Sequence, residues 1–316
     1  MPTFSWVPDI PAGILRNNYI SSQVRKQAIA EAKFMAFVKP EPGYGKRKGE
    51  SVTIPRTKSL PEPVNPRLLE TQKIPVDKFA VGTTSITVSE WGRALELTNF
   101  AEELNTFDLK QPMQAALRDQ MKLSLDTGAA AAFKSAMSKY IPTGLATGVF
   151  DLDGVASTVA TENLTLAHVA EIRDYLYATL FAPPVDAEGN YMCLASTKAL
   201  RGLKNDPDWE EWNKYTSPSK KFNSEVGKIE QVRFVEINHA LALSGALGSG
   251  GVLGEAVFFG RDAVASAIVH DPELRVGIAT DFGRQQAVAW YGILEFGQVW
   301  PTANAGEARI VHVTSA

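Results

Sequence analysis

The residues with the widest chemical range in this 316-residue chain are four histidines and one cysteine: His168, His239, His270, His312 and Cys193. A protein metal site needs such groups at short, regular spacings. None of the four histidines stands in such a spacing with another or with Cys193, so no metal ligand is assigned. A thiol nucleophile needs a neighbouring base and a partly open, electropositive setting. A cleft near Cys193 and His239 would supply that pair in a cytosolic α/β enzyme. Cys193, however, sits inside the apolar run Tyr191-Met192-Cys193-Leu194-Ala195 and reads as a packed structural thiol. Asp281-Phe282-Gly283 copies a kinase tripeptide without the catalytic loop or glycine-rich turn that would give it meaning. Gly248-Ser249-Gly250 with Gly254 is one residue off the dinucleotide fingerprint and lacks its βαβ unit. Gly45-Lys46 is followed by Arg47, where a phosphate loop requires Ser or Thr. No pair of carboxylates stands out for acid–base work. The sequence assigns no catalytic, cofactor-binding or metal residue, no cofactor, and no enzyme.

With chemistry set aside, the elements carry the information. Gly49-Glu50-Ser51-Val52-Thr53-Ile54 alternates polar and apolar residues, and Gly82-Thr83-Thr84-Ser85-Ile86-Thr87-Val88-Ser89 answers it. Between them residues 59–77 hold four prolines, which prevents regular pairing across the tip. Such a ribbon is marginal alone, so it must lie on something else, and another copy of the chain is the nearest candidate. Trp91 to Asn99 reads as a further extended stretch. A long helix follows. Leu109, Met113, Leu117, Met121, Leu125, Ala129, Phe133 and Met137 recur at every fourth position, one apolar stripe over about 45 Å of helix. Asp108 can cap it with Gln111 three residues on. The Ala129–Ala132 block implies close backbone approach.

The rest reads as follows. Residues 1–20, with three prolines, form an extended arm, and Gln23 to Val38 a helix with Val24, Ala28, Ala32 and Met35 on one face. Lys46-Arg47-Lys48 reads first as a solvated turn and second as a contact for nucleic acid or an acidic neighbour. Thr165 caps a helix carrying Leu166, Val169, Ile172, Leu176 and Leu180, stopped by Pro183-Pro184. Tyr191–Ala195, Val232–Ile237 and Val257–Phe259 are strands, Ser196 caps a helix ending around Asn205-Asp206-Pro207, and residues 286–296 and 308–313 are β. Residues 244–254, with five glycines, read as a flexible loop. Hydrophobic residues at 45 % and charged residues at 21 % suffice for a sizeable core. The net charge of −3, from 32 basic and 35 acidic residues, argues against a dedicated nucleic-acid binder. One cysteine excludes an internal disulfide. No apolar run reaches membrane-spanning length and no export signal is read, so a cytosolic setting is expected.

The order of these parts resembles the major capsid proteins of tailed bacteriophages with the Hong Kong 97-type fold, more narrowly the group typified by phage N-four. Gly49 to Arg56 looks like the first strand of that family's extended loop, and Ser85–Val88 with Gly92–Thr98 like its return. Leu109 to Lys139 corresponds to the spine helix. Gly227-Lys228-Ile229 with Val232–Ala240, then Gly254–Gly260 and Tyr291–Gly297, is similar to its later strands. The resemblance covers most of residues 15–300 through motifs whose order carries the weight. It implies an α+β chain with an N-terminal arm (1–48), an extended loop with its flanking strands (49–100), a peripheral domain (101–140 and 286–316) and an axial domain (141–285). It also implies a virion shell protein, built in the host cytoplasm, that self-assembles as hexamers and pentamers around double-stranded DNA. Portal and scaffold proteins are then expected partners, with decoration proteins admitted and not required; contact with DNA is expected to be weak and non-specific, and no membrane partner is expected. The alternatives are an encapsulin-like nanocompartment shell and, from another class, the α/β enzyme above.

Overall fold

A computed structural model of the chain describes residues 27–60, 62–63, 66–68, 70, 73–104, 110–214, 225–279 and 281–316. The strands in the first half are β1 (Lys39–Pro40), β2 (Ser51–Thr57), β3 (Val81–Thr87), β4 (Ser89–Thr98), β5 (Lys139–Gly144) and β6 (Thr147–Asp151). They continue with β7 (Tyr191–Ser196), β8 (Glu225–Ile229), β9 (Val232–Ile237), β10 (Ala256–Phe259), β11 (Val264–Val276), β12 (Gln285–Gln298) and β13 (Ile310–Val313). The helices are α1 (Asn99–Leu104), α2 (Lys110–Lys134), α3 (Leu166–Asp174), α4 (Arg201–Lys204) and α5 (Pro207–Lys214). This is the α+β mixture expected.

The central layer is a seven-stranded sheet in the order β6-β5-β13-β10-β7-β9-β8. Its inner strands read as continuous apolar runs because both faces are covered. Alternation along each strand divides two cores. Tyr191, Cys193, Ala195, Phe234, Phe258 and Val311 face a cluster with Leu164, Val169, Ile172 and Leu176 around α3. Met192, Leu194, Val235, Val257, Phe259 and Ile310 face the other way, onto Leu125, Ala129 and Phe133 of α2. Each buried Leu or Phe contributes roughly 1.5–3 kcal/mol. Gly128 sets the approach of α2 to the second sheet: a Cβ there would meet the Trp91 ring at 2.5 Å and the Phe296 ring at 3.2 Å. That second sheet has four strands in the order β1-β11-β12-β4, and the ribbon β2-β3 forms a third, two-stranded sheet.

Local signals explain most ends. Thr165 begins α3, its N–H donating to His168 Nδ1 at 3.2 Å while His168 Nε2 donates to the Gly144 carbonyl at 2.7 Å. The buried histidine is thus a cap and a tie to the β5–β6 turn. Glu230 and Gln231, with φ of 47° and 59°, make the two-residue turn that joins β8 to β9.

The structure corrects several expectations. Within the described part of residues 23–38 there is no α-helix, only a 3-10 turn at Phe34–Phe37. The amides a helix would use internally are taken elsewhere. Phe34 N–H donates to Asp126 Oδ1 at 2.7 Å and Glu31 N–H to Asn238 Oδ1 at 2.9 Å. Phe34, not Met35, is the buried side chain. The long helix stops at Lys134, short of Lys139, because Lys139 opens β5 and pairs with β6 and β13. Its expected cap at Asp108 and first stripe residue Leu109 lie outside the described residues. Ser196 does not cap a helix; its hydroxyl accepts the Glu255 N–H at 3.1 Å. The helix after it, α4, ends at Asn205, where expected, and Pro207 opens a further helix, α5.

The 244–254 loop is pinned, not free. Ser249 N–H reaches the Ala160 carbonyl at 2.8 Å, Leu253 is fully buried, and Gly248 (φ 78°) leaves 2.5 Å between a would-be Cβ and that same carbonyl. β12 joins the four-stranded sheet while β13 lies inside the seven-stranded one, and β11 pairs with β12. The chain passes from one sheet to the other within a few residues after β10.

Candidate assembly surface

The ribbon is built by its own alternation and seated at its root. Ser51 to Thr57 pairs with Val81 to Thr87 in continuous register. Ile54 and Ile86 turn inward onto Ala265 and Ala267 of β11, with Tyr44, Val52, Val88 and Val299 at the margin. Gly297 admits this contact: a Cβ there would come within 2.7 Å of Ile86. Lys58 Nζ meets Glu307 Oε1 at 2.6 Å, a hydrogen bond that holds the Glu307 carboxyl below the usual carboxylate range. The guanidinium groups of Arg56 and Arg309 lie 5.3 Å and 5.0 Å from the Trp300 ring centre, within cation–π range. Lys58 N–H to the Ala80 carbonyl, at 3.2 Å, is the last rung.

At that rung and beyond it, Leu60, Leu68, Ile74, Val76, Phe79 and Val81 are all exposed, Val76 at 84 %. A second exposed group lies at the far end of the four-stranded sheet: Phe100, Val276, Ile278 and Phe282, the last wholly exposed. The turn carrying it is stiff. Asp281, Phe282 and Gly283 have φ of 50°, 52° and 88°. Asn99 fastens the turn through N–H to the Arg284 carbonyl at 2.9 Å and Nδ2 to the Gly283 carbonyl at 2.6 Å. A non-glycine residue held left-handed costs free energy, and here the strained residue is an aromatic displayed to solvent. Beside it runs a groove of about 190 Å³ lined by Leu97, Met113, Val276 and Val288. A third group, Leu145, Leu152, Val155 and Val159, borders β6. The 152–159 loop is fixed by Asp151, whose two carboxylate oxygens accept from Ser157 N–H at 2.7 Å and Ser157 Oγ at 3.1 Å. Exposed apolar surface grouped in this way marks contacts with other molecules.

The residues weighed for chemistry are not brought together. Cys193 is fully buried on the α3 face of the sheet, and burial pushes its thiol well up. His239 lies on the opposite face, its Nδ1 3.1 Å from Asp126 Oδ2, so no Cys193–His239 cleft exists. His270 is on the four-stranded sheet, 2.8 Å from Arg275 Nη2, and His312 is inside β13. Asp281-Phe282-Gly283 is the turn just described. Gly248-Ser249-Gly250 packs on Ala160. Lys46, Arg47 and Lys48 are exposed in a turn at the ribbon root, while Lys220 and Lys221 lie outside the described residues. Among the described residues, no group of three or more His, Cys, Asp or Glu is placed to hold a metal ion, and no helix is long and apolar enough to cross a membrane. The exposed apolar groups were missed from sequence. Periodicity says that a side chain is apolar, not which molecule covers it; the row Ile74-Val76-Phe79-Val81 among prolines was the available signal.

No protein-family model and no curated protein sequence matches the chain. Solved structures do. The capsid asymmetric unit of cyanophage Pam1 aligns over 100 % of both chains at 15 % identity with a TM-score of 0.67. The acid-stable capsid of Helicobacter pylori bacteriophage KHP30 aligns over 96 % of both at 11 % identity and 0.68. The capsid of Ralstonia phage GP4 covers 99 % of this chain and 98 % of its own at 16 % identity and 0.64. The chain has, end to end, the fold of phage capsid proteins of the Hong Kong 97 type.

Proposed function

We propose that the chain is a major capsid protein of a tailed bacteriophage, a structural and not a catalytic protein. In this reading it assembles as hexamers and pentamers into an icosahedral virion shell around double-stranded DNA. The observation that carries the reading is the ribbon. It is rigidly seated at its root and carries an apolar row that its own subunit leaves in water, within a fold that aligns end to end with capsid subunits. Past that root, a strand pair of this kind gains stability by lying across a neighbour. The likeness to the phage N-four group belongs to the same proposal. So does a division into an arm (1–48), an extended loop (49–100), a peripheral part built on α2 and the four-stranded sheet, and an axial part built on the seven-stranded sheet. Negative-stain images of the purified chain should contain closed shells. A small oligomer of fixed size at every concentration would sink the reading and return the α/β enzyme to consideration. An encapsulin-like shell would form particles too, but would carry protein cargo instead of DNA.

This reading requires portal and scaffold proteins as partners and admits decoration proteins. Contact with DNA should be weak. The net charge is −3, and the dense basic run at the ribbon root is only Lys46-Arg47-Lys48. Salt-sensitive affinity needs many neutralised phosphates, each adding a slope of about −0.9. Free subunit titrated with labelled duplex at physiological salt should bind no tighter than the micromolar range, without sequence preference. Sub-micromolar binding with a steep salt slope would contradict retention by enclosure.

A further inference from the structure

Glu255, Lys139 and His312 are ionisable yet nearly fully buried, and the fold brings them to one point with Lys134. The four come from separate segments: the last residue of α2, the first of β5, the middle of β13, and the residue before β10. Lys139 Nζ donates to the Lys134 carbonyl at 2.7 Å and to His312 Nδ1 at 2.9 Å. With Nδ1 accepting, His312 Nε2 carries the proton and donates to Glu255 Oε1 at 2.7 Å. The other oxygen of Glu255 accepts the Ser244 N–H at 2.7 Å and lies 3.4 Å from Lys134 Nζ. The Glu255 N–H closes the loop base on the Ser244 carbonyl at 3.1 Å. The glycine-rich segment is therefore tied to the end of α2 through one carboxylate and one neutral imidazole.

We propose that this four-residue chain is an acid-operated clasp, which holds the 244–254 loop against the end of α2 at neutral pH and releases it as the pH falls. The tautomer makes the device one-sided. A second proton on His312 must go to Nδ1, where it faces the Lys139 ammonium. It would break the Lys139–His312 bond and set two cations against each other inside the protein. The charged groups facing the imidazole are Glu255 from the loop, Lys139 from β5 and Lys134 from α2; β10 presents Val257 beside it.

The direction follows from both titrating groups. Burial, helped by the two lysines, holds the imidazole below its ordinary 6.5. Burial alone would raise the Glu255 carboxyl, but the His312 hydrogen bond, the Ser244 amide and the Lys134 charge hold it below its ordinary 4.5. In each case the opened loop takes up the proton more readily. Acid therefore favours opening, through His312 from about pH 6.5 downward and through Glu255 from about pH 4.5 downward.

Hydrogen exchange on the full-length chain, corrected for intrinsic rates, reads this directly. Between about pH 7 and about pH 5 the 244–254 amides should lose roughly tenfold protection, up to a factor of ten per pH unit for one coupled proton, while α3 amides hold theirs. His312→Gln should remove that step. Glu255→Gln, which keeps the hydrogen-bonding shape without the charge, should remove the further loss near pH 4 and serves if His312→Gln does not fold. Flat loop protection in the unaltered chain would overturn the proposal. So would loss shared equally by α3, or an unchanged acid profile in the variant that folds.

Discussion

A chain lacking residues 60–74 is expected to fold normally and to form no stable closed shells. None of this segment's described residues belongs to the subunit's own core. Both clusters that line the seven-stranded sheet are complete without it, and the ribbon root is held by Ile54, Ile86 and the Lys58–Glu307 pair. What the deletion removes is part of the apolar row, including Leu60, Leu68 and Ile74. At about 25 cal/mol per Å² of apolar area removed from water, a few such side chains seated on a neighbour contribute several kcal/mol per contact. That contribution recurs at every subunit of a lattice. The melting temperature of the unassembled variant should stay within a few degrees of the parent, while particle yield and heat resistance collapse. Shells of normal size and thermal stability from the deleted chain would mean that the ribbon is not an assembly element.

The ribbon and α2 were legible in the sequence because each repeats one period without interruption: two in residues 49–57 and 81–89, near four along Leu117, Leu125 and Phe133. Strand β11 was not. Asp271-Pro272 in its middle reads as a turn, yet the strand continues through two register shifts on either side of His270. Proline is tolerated because β1 pairs only at Ala265 and Ser266, so the edge beside Pro272 has no partner strand asking for an N–H. Gly292 across the ladder leaves room for the ring, 3.1 Å from a would-be Cβ. The expected helix at 23–38 failed for a different reason. Its propensity is adequate, but buried Asp126 and exposed Asn238 offer its amides partners fixed on other elements, and local periodicity carries no information about acceptors 90 or more residues away. The pinning of the glycine-rich segment depends likewise on Ala160 and Glu255, which no sequence spacing connects.

Replacing Asp126 by alanine is expected to be among the most damaging single changes in the chain. Asp126 is fully buried on α2, where a carboxylate is unfavourable unless every oxygen is used. Here both are: Oδ1 accepts the Phe34 N–H at 2.7 Å and Oδ2 faces His239 Nδ1 at 3.1 Å. Three segments meet on this side chain: the incoming 31–38 stretch, the long helix, and the turn after β9. Alanine takes this acceptor from the buried Phe34 amide and from the imidazole, and each buried donor left unsatisfied costs about 1–3 kcal/mol. It also loosens the seat of Phe34, whose ring lies 5.5 Å from that of Phe133. Asp126→Asn keeps one oxygen for Phe34 and can meet His239 in its other tautomer, so it should lose less than half as much. Denaturant unfolding of the unassembled subunits separates the two, with the alanine midpoint falling far below the asparagine one at unchanged slope. An alanine variant within about 1 kcal/mol of the parent would show that the arm is held by apolar contact alone. The failed helix at 23–38 would then need a cause other than the competition of Asp126 for its amides.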